Sequence, residues 1–362
     1  MPKKILVVAG DAGGGSAMAP VVKKLLSDPF WEVSIFAYRQ SVALFSQQQI
    51  PHVALSDATT TQEIAMNLAE IQPDVLCLAT SANGVDLEKL FLQQAKERNI
   101  PSLSIMDFWA NYSIRYHLNG ETILPNVISV IDEEMCKEMI ACGFSDSILH
   151  ICGHPILEET LASRGSVSPE LHGALRVLFV SQPVFPDWNS PDFEKLYRGF
   201  SKKTVLPLLV ESLEEISTHT GKEIELVIRT HPRETNEDFS WISSSKIKIT
   251  VDSKAALSGF ALIVGMDSML LVETCMRGAV TVSLLPGITP ETDVLPTNRW
   301  GLSLPIYEEA QIQPQLERAL FDQNLRAELL QKQSQFSLPA NAVARIIDLL
   351  RSLIPSPSLL NP

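Results

Sequence analysis

The chain reads as an α/β protein of two Rossmann-like, doubly wound parallel-sheet domains facing a cleft. Three observations predict this. Short apolar strands alternate with helix-like stretches through the first half. The pattern lapses into Ser, Gly and Pro with charges near Glu158–Gly173, then restarts. The length, 362 residues, exceeds one ordinary doubly wound domain and suits two of roughly 150–180 residues. The expected boundaries are 1–157 for the first domain, 158–173 for a linker, 174–338 for the second domain, and 339–362 for a C-terminal helix and tail.

In the first half the predicted strands are Lys4–Ala9, Glu32–Phe36, His52–Ala54, Asp74–Ala79, Ser102–Met106 and Val127–Ile131. Helices are expected over Ala17–Ser27, Ser41–Gln48, Thr61–Ile71, Val85–Arg98 and Asp132–Ala141. Parallel strands need crossover connections, and helices covering both sheet faces supply them. Continuous rather than alternating apolarity in Ile5–Ala9 and Val75–Ala79 suits strands buried on both faces. In the second half the strands are Arg176–Val180, Glu225–Ile228, Lys246–Val251, Ala261–Val264 and Val280–Leu285. A long helix fits Asp192–His219, which Pro207 must kink or divide. Helices also fit Glu308–Leu320, Gln323–Gln335 and Asn341–Ser352, and the tail Pro355–Pro362 is expected to fray.

Composition excludes several function classes. Lys+Arg is 29 against Asp+Glu 42, a formal net charge of −13. Without a basic stripe, that balance argues against nucleic acid or an anionic bilayer as partner. The five cysteines are scattered with no CxxC pair, so a structural zinc or a disulfide framework is not expected, and the compartment reads as reducing. Lys3-Lys4 precedes an apolar run, Ile5 to Ala9, too short for a secretory segment. No stretch reaches the ~18–20 apolar residues of a membrane span. The expected location is cytoplasmic.

The residues that could carry chemistry follow predicted strands. Gly10-Asp11-Ala12-Gly13-Gly14-Gly15-Ser16 runs from the first strand towards a helix starting near Ala17. Its glycines allow close backbone approach, and a helix start favours an anion or polar sugar group. The GxGxxG spacing of a dinucleotide fingerprint fails at Met18. Asp11 sits at the carboxyl end of a strand, where open sheets bind ligands; its bland alternative is a helix-capping carboxylate.

Met106-Asp107-Phe108-Trp109-Ala110-Asn111-Tyr112-Ser113-Ile114-Arg115-Tyr116-His117 concentrates aromatic rings with a carboxylate, an amide and an arginine. Rings stack on sugars, and Asp107, Asn111 and Arg115 can bind hydroxyls; packing of those rings under the sheet is the alternative. Arg229, His231 and Arg233 put three potential cations into five residues. In an extended segment they would share one side and suit a phosphate, or pair with Glu234 at the surface. Ile263-Val264-Gly265-Met266-Asp267-Ser268-Met269-Leu270-Leu271-Val272-Glu273 reads as strand, small-residue turn and helix. The backbone N–H groups near Ser268 and Met269 suit a diphosphate, and Glu273 can accept two ribose hydroxyls. His154, in Gly153-His154-Pro155, reads as structural. No DxD, HxxxH or GxSxG element appears, so no metal is expected.

Taken in order, these segments resemble GT-B glycosyltransferase-type enzymes. Val8-Ala9-Gly10-Asp11-Ala12-Gly13-Gly14-Gly15 resembles the opening of lipid A disaccharide synthase and of the peptidoglycan N-acetylglucosaminyltransferase. Gly153-His154-Pro155 resembles the Gly-Asn-Pro that closes the first domain in those enzymes. Arg229-Thr230-His231-Pro232-Arg233-Glu234 is similar to a His-Pro element of UDP-N-acetylglucosamine 2-epimerase. Asp267 to Glu273, followed by Gly278-Ala279-Val280, resembles the donor-binding element they share. Asp107–Tyr112 also looks like a loop of glycosyltransferase-like proteins encoded near surface-polysaccharide genes. The turn Ser181-Gln182-Pro183 departs from the pattern by lacking glycine.

The resemblance implies an acceptor-side first domain and a nucleotide-sugar-binding second domain. It implies metal-independent transfer from a nucleotide-diphosphate sugar, UDP-linked in preference, to an acceptor hydroxyl in cell-surface polysaccharide or glycolipid synthesis. Asp11 or Asp107 would be the base, and Gly13, Gly14, Gly15, Trp109, Asn111, Tyr112 and Arg115 would bind acceptor or sugar. Arg229, His231, Arg233, Ser268, Met269 and Glu273 would hold the donor nucleotide. No cofactor is expected; the partners are the nucleotide sugar and a saccharide or lipid-linked acceptor, with a homodimer allowed. Two alternatives stay open: an epimerase or hydrolase using Asp107 with His231, or a non-catalytic nucleotide-sugar-binding protein.

Overall fold

A computed structural model describes residues 1–82, 84–164, 174–183 and 199–354. The chain divides into two compact units, Met1–Glu159 together with the segment from Leu338 onward, and Thr160–Ser337.

The first unit is built on β1 (Lys3–Ala9), β2 (Trp31–Ala37), β3 (Val53–Ala54), β4 (Val75–Leu78), β5 (Ser102–Ile105), β8 (Val127–Val130) and β9 (Leu149–Ile151), with a small hairpin of β6 (His117–Leu118) and β7 (Glu121–Thr122). The seven strands lie in the order β3-β2-β1-β4-β5-β8-β9. All six pairings are parallel. Ile5, Leu6, Val7, Val8 and Ala9 are buried without exposure, as their unbroken apolar run requires of a central strand. Helices α1 (Ala12–Leu26), α2 (Gln40–Gln47), α3 (Thr61–Ile71), α4 (Leu87–Glu97) and α5 (Glu133–Ala141) lie in its crossovers, and α6 (Pro155–Ala162) follows the last strand. Strand order reverses between β1 and β4, so the crevice at their carboxyl ends is the topological switch point where such sheets bind ligands.

The second unit contains β10 (Leu175–Val180), β11 (Ile224–Arg229), β12 (Lys248–Val251), β13 (Leu262–Gly265), β14 (Thr281–Leu284) and β15 (Leu304–Ile306). Their order, β12-β11-β10-β13-β14-β15, places a second switch point between β10 and β13. Around them lie α7 (Lys202–Thr220), α8 (Met269–Met276), α9 (Ile312–Phe321) and α10 (Gln323–Gln335). Among the described residues no helix is long and apolar enough to cross a membrane.

Several expected details differ. The Gly13–Gly15 run is not a loop before a helix at Ala17; it forms the first turn of α1, with Asp11 at the N-cap. Pro207 lies inside α7 without ending it, and the expected helical residues 192–198 fall outside the described residues. Of the expected linker, residues 158–162 are helical in α6, and 165–173 fall outside the described residues, as does the tail 355–362. The last helix, α11 (Ala342–Ser352), belongs to the first unit. Ala342, Ile346, Ile347 and Leu350 are its buried face, and the isoleucines and Leu350 enter the core around Val7 and Leu25. The Glu158 carboxylate caps this helix, accepting the Ala342 N–H at 2.8 Å and the Asn341 N–H. That contact satisfies two donors the helix cannot pair internally.

Candidate functional site

Each unit carries a polar cluster at the carboxyl ends of its sheet. In the first, β1 delivers Asp11, β2 delivers Tyr38 and Arg39, β4 delivers Thr80 and Ser81, and β5 delivers Asp107. The Arg39 guanidinium lies 3.5 Å from Asp11 Oδ1 and 3.0 Å from Asp57 Oδ2. Arg39 itself adopts φ 48°, a region non-glycine residues enter rarely and at a cost. Asp11 is 9 % exposed.

Asp107 is held from three directions. Arg115 Nη1 donates to its Oδ1 at 2.6 Å. A β-carbon at Gly13 would lie 2.3 Å from its Oδ2, so the carboxylate sits on the first turn of α1, where the helix dipole favours it. The buried His154 ring lies close to the Asp107 backbone. Burial depresses the His154 pKa to about 4; the ring is neutral, its Nδ1 accepting from the Leu157 N–H at 3.4 Å. Arg115 has further acceptors in Thr80 Oγ1 at 2.8 Å, the Thr80 carbonyl at 3.2 Å and the Ala110 carbonyl at 3.2 Å. Its guanidinium is committed to holding the loop.

The other first-unit residues singled out by sequence are placed as follows. β-Carbons at Gly14 and Gly15 would meet Ala79 Cβ at 2.9 Å and Ser41 Oγ at 2.3 Å. Those glycines serve close packing of α1 against neighbouring protein atoms. Trp109 is 1 % exposed and donates its indole N–H to Asp132 at 2.8 Å. Tyr112 is buried and donates to the Glu138 carboxylate. Neither ring presents an open face for a sugar to stack on. Asn111 is exposed at φ 61°, a left-handed turn position that asparagine tolerates.

Sequence reading missed a buried acid beside Asp11. Glu88, in the first turn of α4, is 4 % exposed. Its Oε2 accepts from the Tyr38 hydroxyl and from Ser81 Oγ at 3.0 Å, while Oε1 is buried without a partner. Burial pushes this carboxyl up to about 7, assisted by the charge of Asp11. The unfolded chain ionises near 4.5, so between these values the folded state holds the extra proton. Stability is greatest below the lower value and falls as pH rises through the window, by up to about 3 kcal/mol. Glu88→Gln is expected to remove this loss. Urea midpoints at pH 5 and pH 8 check it: the variant should gain on the wild type at the higher pH, and an equal difference at both contradicts the burial argument.

In the second unit, β11 ends at Arg229, whose Nη1 donates to the Ala255 carbonyl at 2.7 Å. The extended backbone stops there. The Glu234 N–H reaches the His231 carbonyl at 2.8 Å, so Arg229, His231 and Arg233 do not continue the strand alternation expected to align them. Nor is His231 a cation: burial, reinforced by Arg233, lowers its pKa to about 4. The Arg233 N–H donates to His231 Nδ1 at 3.1 Å, which leaves the proton on Nε2. Glu234 is no surface partner; it is buried against Lys202 Nζ at 2.8 Å, with side chains 3 % and 7 % exposed. It also accepts the His231 N–H at 2.8 Å. Arg233 is exposed.

The start of α8 is built with equal definition. Ser268 caps it, accepting from the Leu270 N–H at 3.2 Å. Gln182, after β10, exchanges two hydrogen bonds of 2.9 Å with Asp267, one to its backbone and one to its carboxylate. Met269 is half-buried at the first turn. Ser181 is 2 % exposed, and its hydroxyl is buried without a partner. Glu273 is half-buried one turn further on; burial raises its pKa, and the charges of Arg277 and Arg229 oppose the rise. Thus Arg229, Glu273 and the capped helix start converge on the β10/β13 switch point. Gln182 and Ser181 carry no motif; only the pairing of β10 with β13 brings them to Asp267.

No protein-family profile matches the chain, and no curated protein sequence matches it. Solved structures do. The UDP complex of S. aureus MnaA superposes with a TM-score of 0.70 at 12 % identity, covering 96 % of each chain. UDP-GlcNAc 2-epimerase from Neisseria meningitidis, bound to UDP-GlcNAc, gives 0.67 at 15 % identity over 96 % of this chain and 100 % of that one. MurG of Acinetobacter baumannii gives 0.58 at 15 % identity over 97 % and 100 %. At such identities the likeness establishes the fold. The chain has the GT-B fold, two Rossmann-like units each built on a parallel sheet.

Proposed function

We propose that the protein is a nucleotide-sugar enzyme of the GT-B type whose second unit binds the donor. The observation that carries this reading is the convergence at the β10/β13 switch point. There the Ser268-capped start of α8 offers backbone N–H groups to a diphosphate, and Glu273 sits where ribose hydroxyls would meet it. Two of the similar structures hold UDP or UDP-GlcNAc, which supports a UDP-linked donor. Arg233 and the Nε2–H of His231 would add donors to the phosphates, Arg229 would orient Glu273, and Met269 would line the site.

The reaction we assign is sugar transfer without a cofactor or metal. Asp11 takes the proton of an acceptor hydroxyl as that oxygen bonds to the anomeric carbon. The bond from that carbon to the diphosphate oxygen breaks, and the departing charge is met by Arg233, His231 and the α8 start. Asp107 is engaged by Arg115 and Gly13, which favours Asp11 as base. A second reading, epimerisation or hydrolysis of the donor, is favoured by the epimerases among the similar structures. It requires Asp107 rather than Asp11 as the decisive carboxylate.

A thermal-shift screen with UDP-, GDP-, CMP- and dTDP-linked sugars tests donor binding, since a ligand at a hundredfold its Kd stabilises by about 2.7 kcal/mol. UDP sugars are expected to raise the midpoint, and no shift from any donor would remove the proposal. Arg233→Ala is expected to weaken UDP about tenfold or more while sparing uridine; equal effects on both would take the residue out of the phosphate site.

A further inference from the structure

The second unit holds a cavity of about 180 Å³ that the donor reading does not use. It lies at the amino ends of β13 and β14, bordered by Ala261 and Val280, whereas Ser181, Arg229 and Asp267 stand at the carboxyl ends of their strands. A single water needs only about 10–15 Å³ of such space, so the cavity can admit a small molecule. Arg277 and Arg326 line it, and among the described residues no acidic one does. In a chain of net charge −13, that is a local reversal of sign.

Arg326 and Arg164 have no counter-charge among the described residues, whereas the exposed Arg277 lies near the Glu273 carboxylate. Arg326 is 5 % exposed and donates Nη1 to two carbonyls, Ala319 at 2.7 Å and Ala261 at 3.1 Å. Arg164, next to the lining residue Ser163, donates Nε to the Met276 carbonyl at 2.7 Å. Its Nη2 is buried without a partner. Among the described residues no carboxylate pairs with either, and burial alone lowers both pKa values. Buried charge is costly unless paired, so two such cations beside one cavity leave an electrostatic demand unmet.

The walls add shape. Leu257, Ile263 and Leu330 are apolar. Gly259 and Gly278, both at φ 81°, have open space where a β-carbon would stand, so their backbone is approachable. We propose that this cavity is an anion site, separate from the donor site, that binds a small phosphate monoester by its phosphate at Arg326 and Arg277 and its apolar body against Leu257, Ile263 and Leu330. The uncompensated Arg326 and the exposed Arg277 supply two positive charges for the two of such an ester, and an arginine fork suits its oxygens.

Phenyl phosphate is the probe, titrated calorimetrically into the full-length chain, with inorganic phosphate and benzoate for comparison. Wild type is expected to bind phenyl phosphate more tightly than either. Ser258→Glu adds an acid at an exposed lining position without disturbing the core, and should weaken phenyl phosphate roughly tenfold or more by like-charge repulsion. Arg326→Met should do the same where it folds. Arg233→Ala, which weakens the proposed donor site and lies outside this cavity, should leave phenyl phosphate unaffected, and Ser258→Glu should leave UDP unaffected. The two sites therefore fail separately. The proposal is overturned if wild type does not bind phenyl phosphate, if Ser258→Glu binds it like wild type, or if Arg233→Ala abolishes its binding.

Discussion

Replacing Arg115 by methionine is expected to destabilise the first unit by about 3–5 kcal/mol, because it strands a buried carboxylate. Arg115 and Asp107 meet at 2.6 Å with side chains 6 % and 11 % exposed. The guanidinium also satisfies Thr80 and the Ala110 carbonyl. Asp107→Asn removes the charge instead, and should cost less. In the double variant neither charge is buried, so its loss should fall well short of the sum of the singles. Hydrogen exchange of β1 and β5 amides reads this in the unit that holds the pair. A cost below about 1 kcal/mol for Arg115→Met would mean a solvated pair of the surface kind, and the pinned geometry of Asp107 would be wrong.

Asp11→Asn is expected to lower the turnover of donor and acceptor by about 10²–10⁴-fold, the usual contribution of a general base. Donor affinity should not change, since the donor contacts are assigned to the second unit. The amide keeps the size of the side chain and its N-cap position at the start of α1. Asp107→Asn assayed beside it should show its main effect on stability. Full turnover in Asp11→Asn would remove Asp11 as base. Turnover lost only in Asp107→Asn, with stability retained, would favour the epimerase reading.

How much of this was legible in the sequence depends on the range of the interactions involved. β1 and β4 were readable because a strand buried on both faces needs an unbroken apolar run, a purely local property. The strand, turn and helix around Asp267–Glu273 was readable for the same reason. β9, β15 and the β6–β7 hairpin are two or three residues each, too short for any period to register. Glycine's poor helix propensity makes Gly13–Gly15 read as a loop. They are glycines within a helix because Asp107, Ala79 and Ser41 leave no room for a β-carbon there, which only the folded chain reveals.

Aromatic side chains show the same limit. Trp109 and Tyr112 read equally well as sugar platforms or as packing. The carboxylates that take their polar ends, Asp132 and Glu138, lie 23 and 26 residues further along. Charge state is also non-local: the sequence counts His231 as a potential cation, while burial beside Arg233 makes it neutral. Glu88 carries no motif at all; its place next to Tyr38 and Ser81 follows from β2 and β4 flanking β1.

The donor site is the centre of the account, and Glu273 tests it most directly. Calorimetric titration of the full chain with UDP should give measurable binding to the wild type. Glu273→Ala should lose roughly 1.5–3 kcal/mol of it, the worth of hydrogen bonds to a charged acceptor. Glu273 is half-buried beside Arg229, so truncation should act on the ligand without opening a core cavity, and the melting midpoint of the free variant should stay near that of the wild type. Unchanged UDP affinity in Glu273→Ala, or no UDP binding by the wild type, would contradict the account.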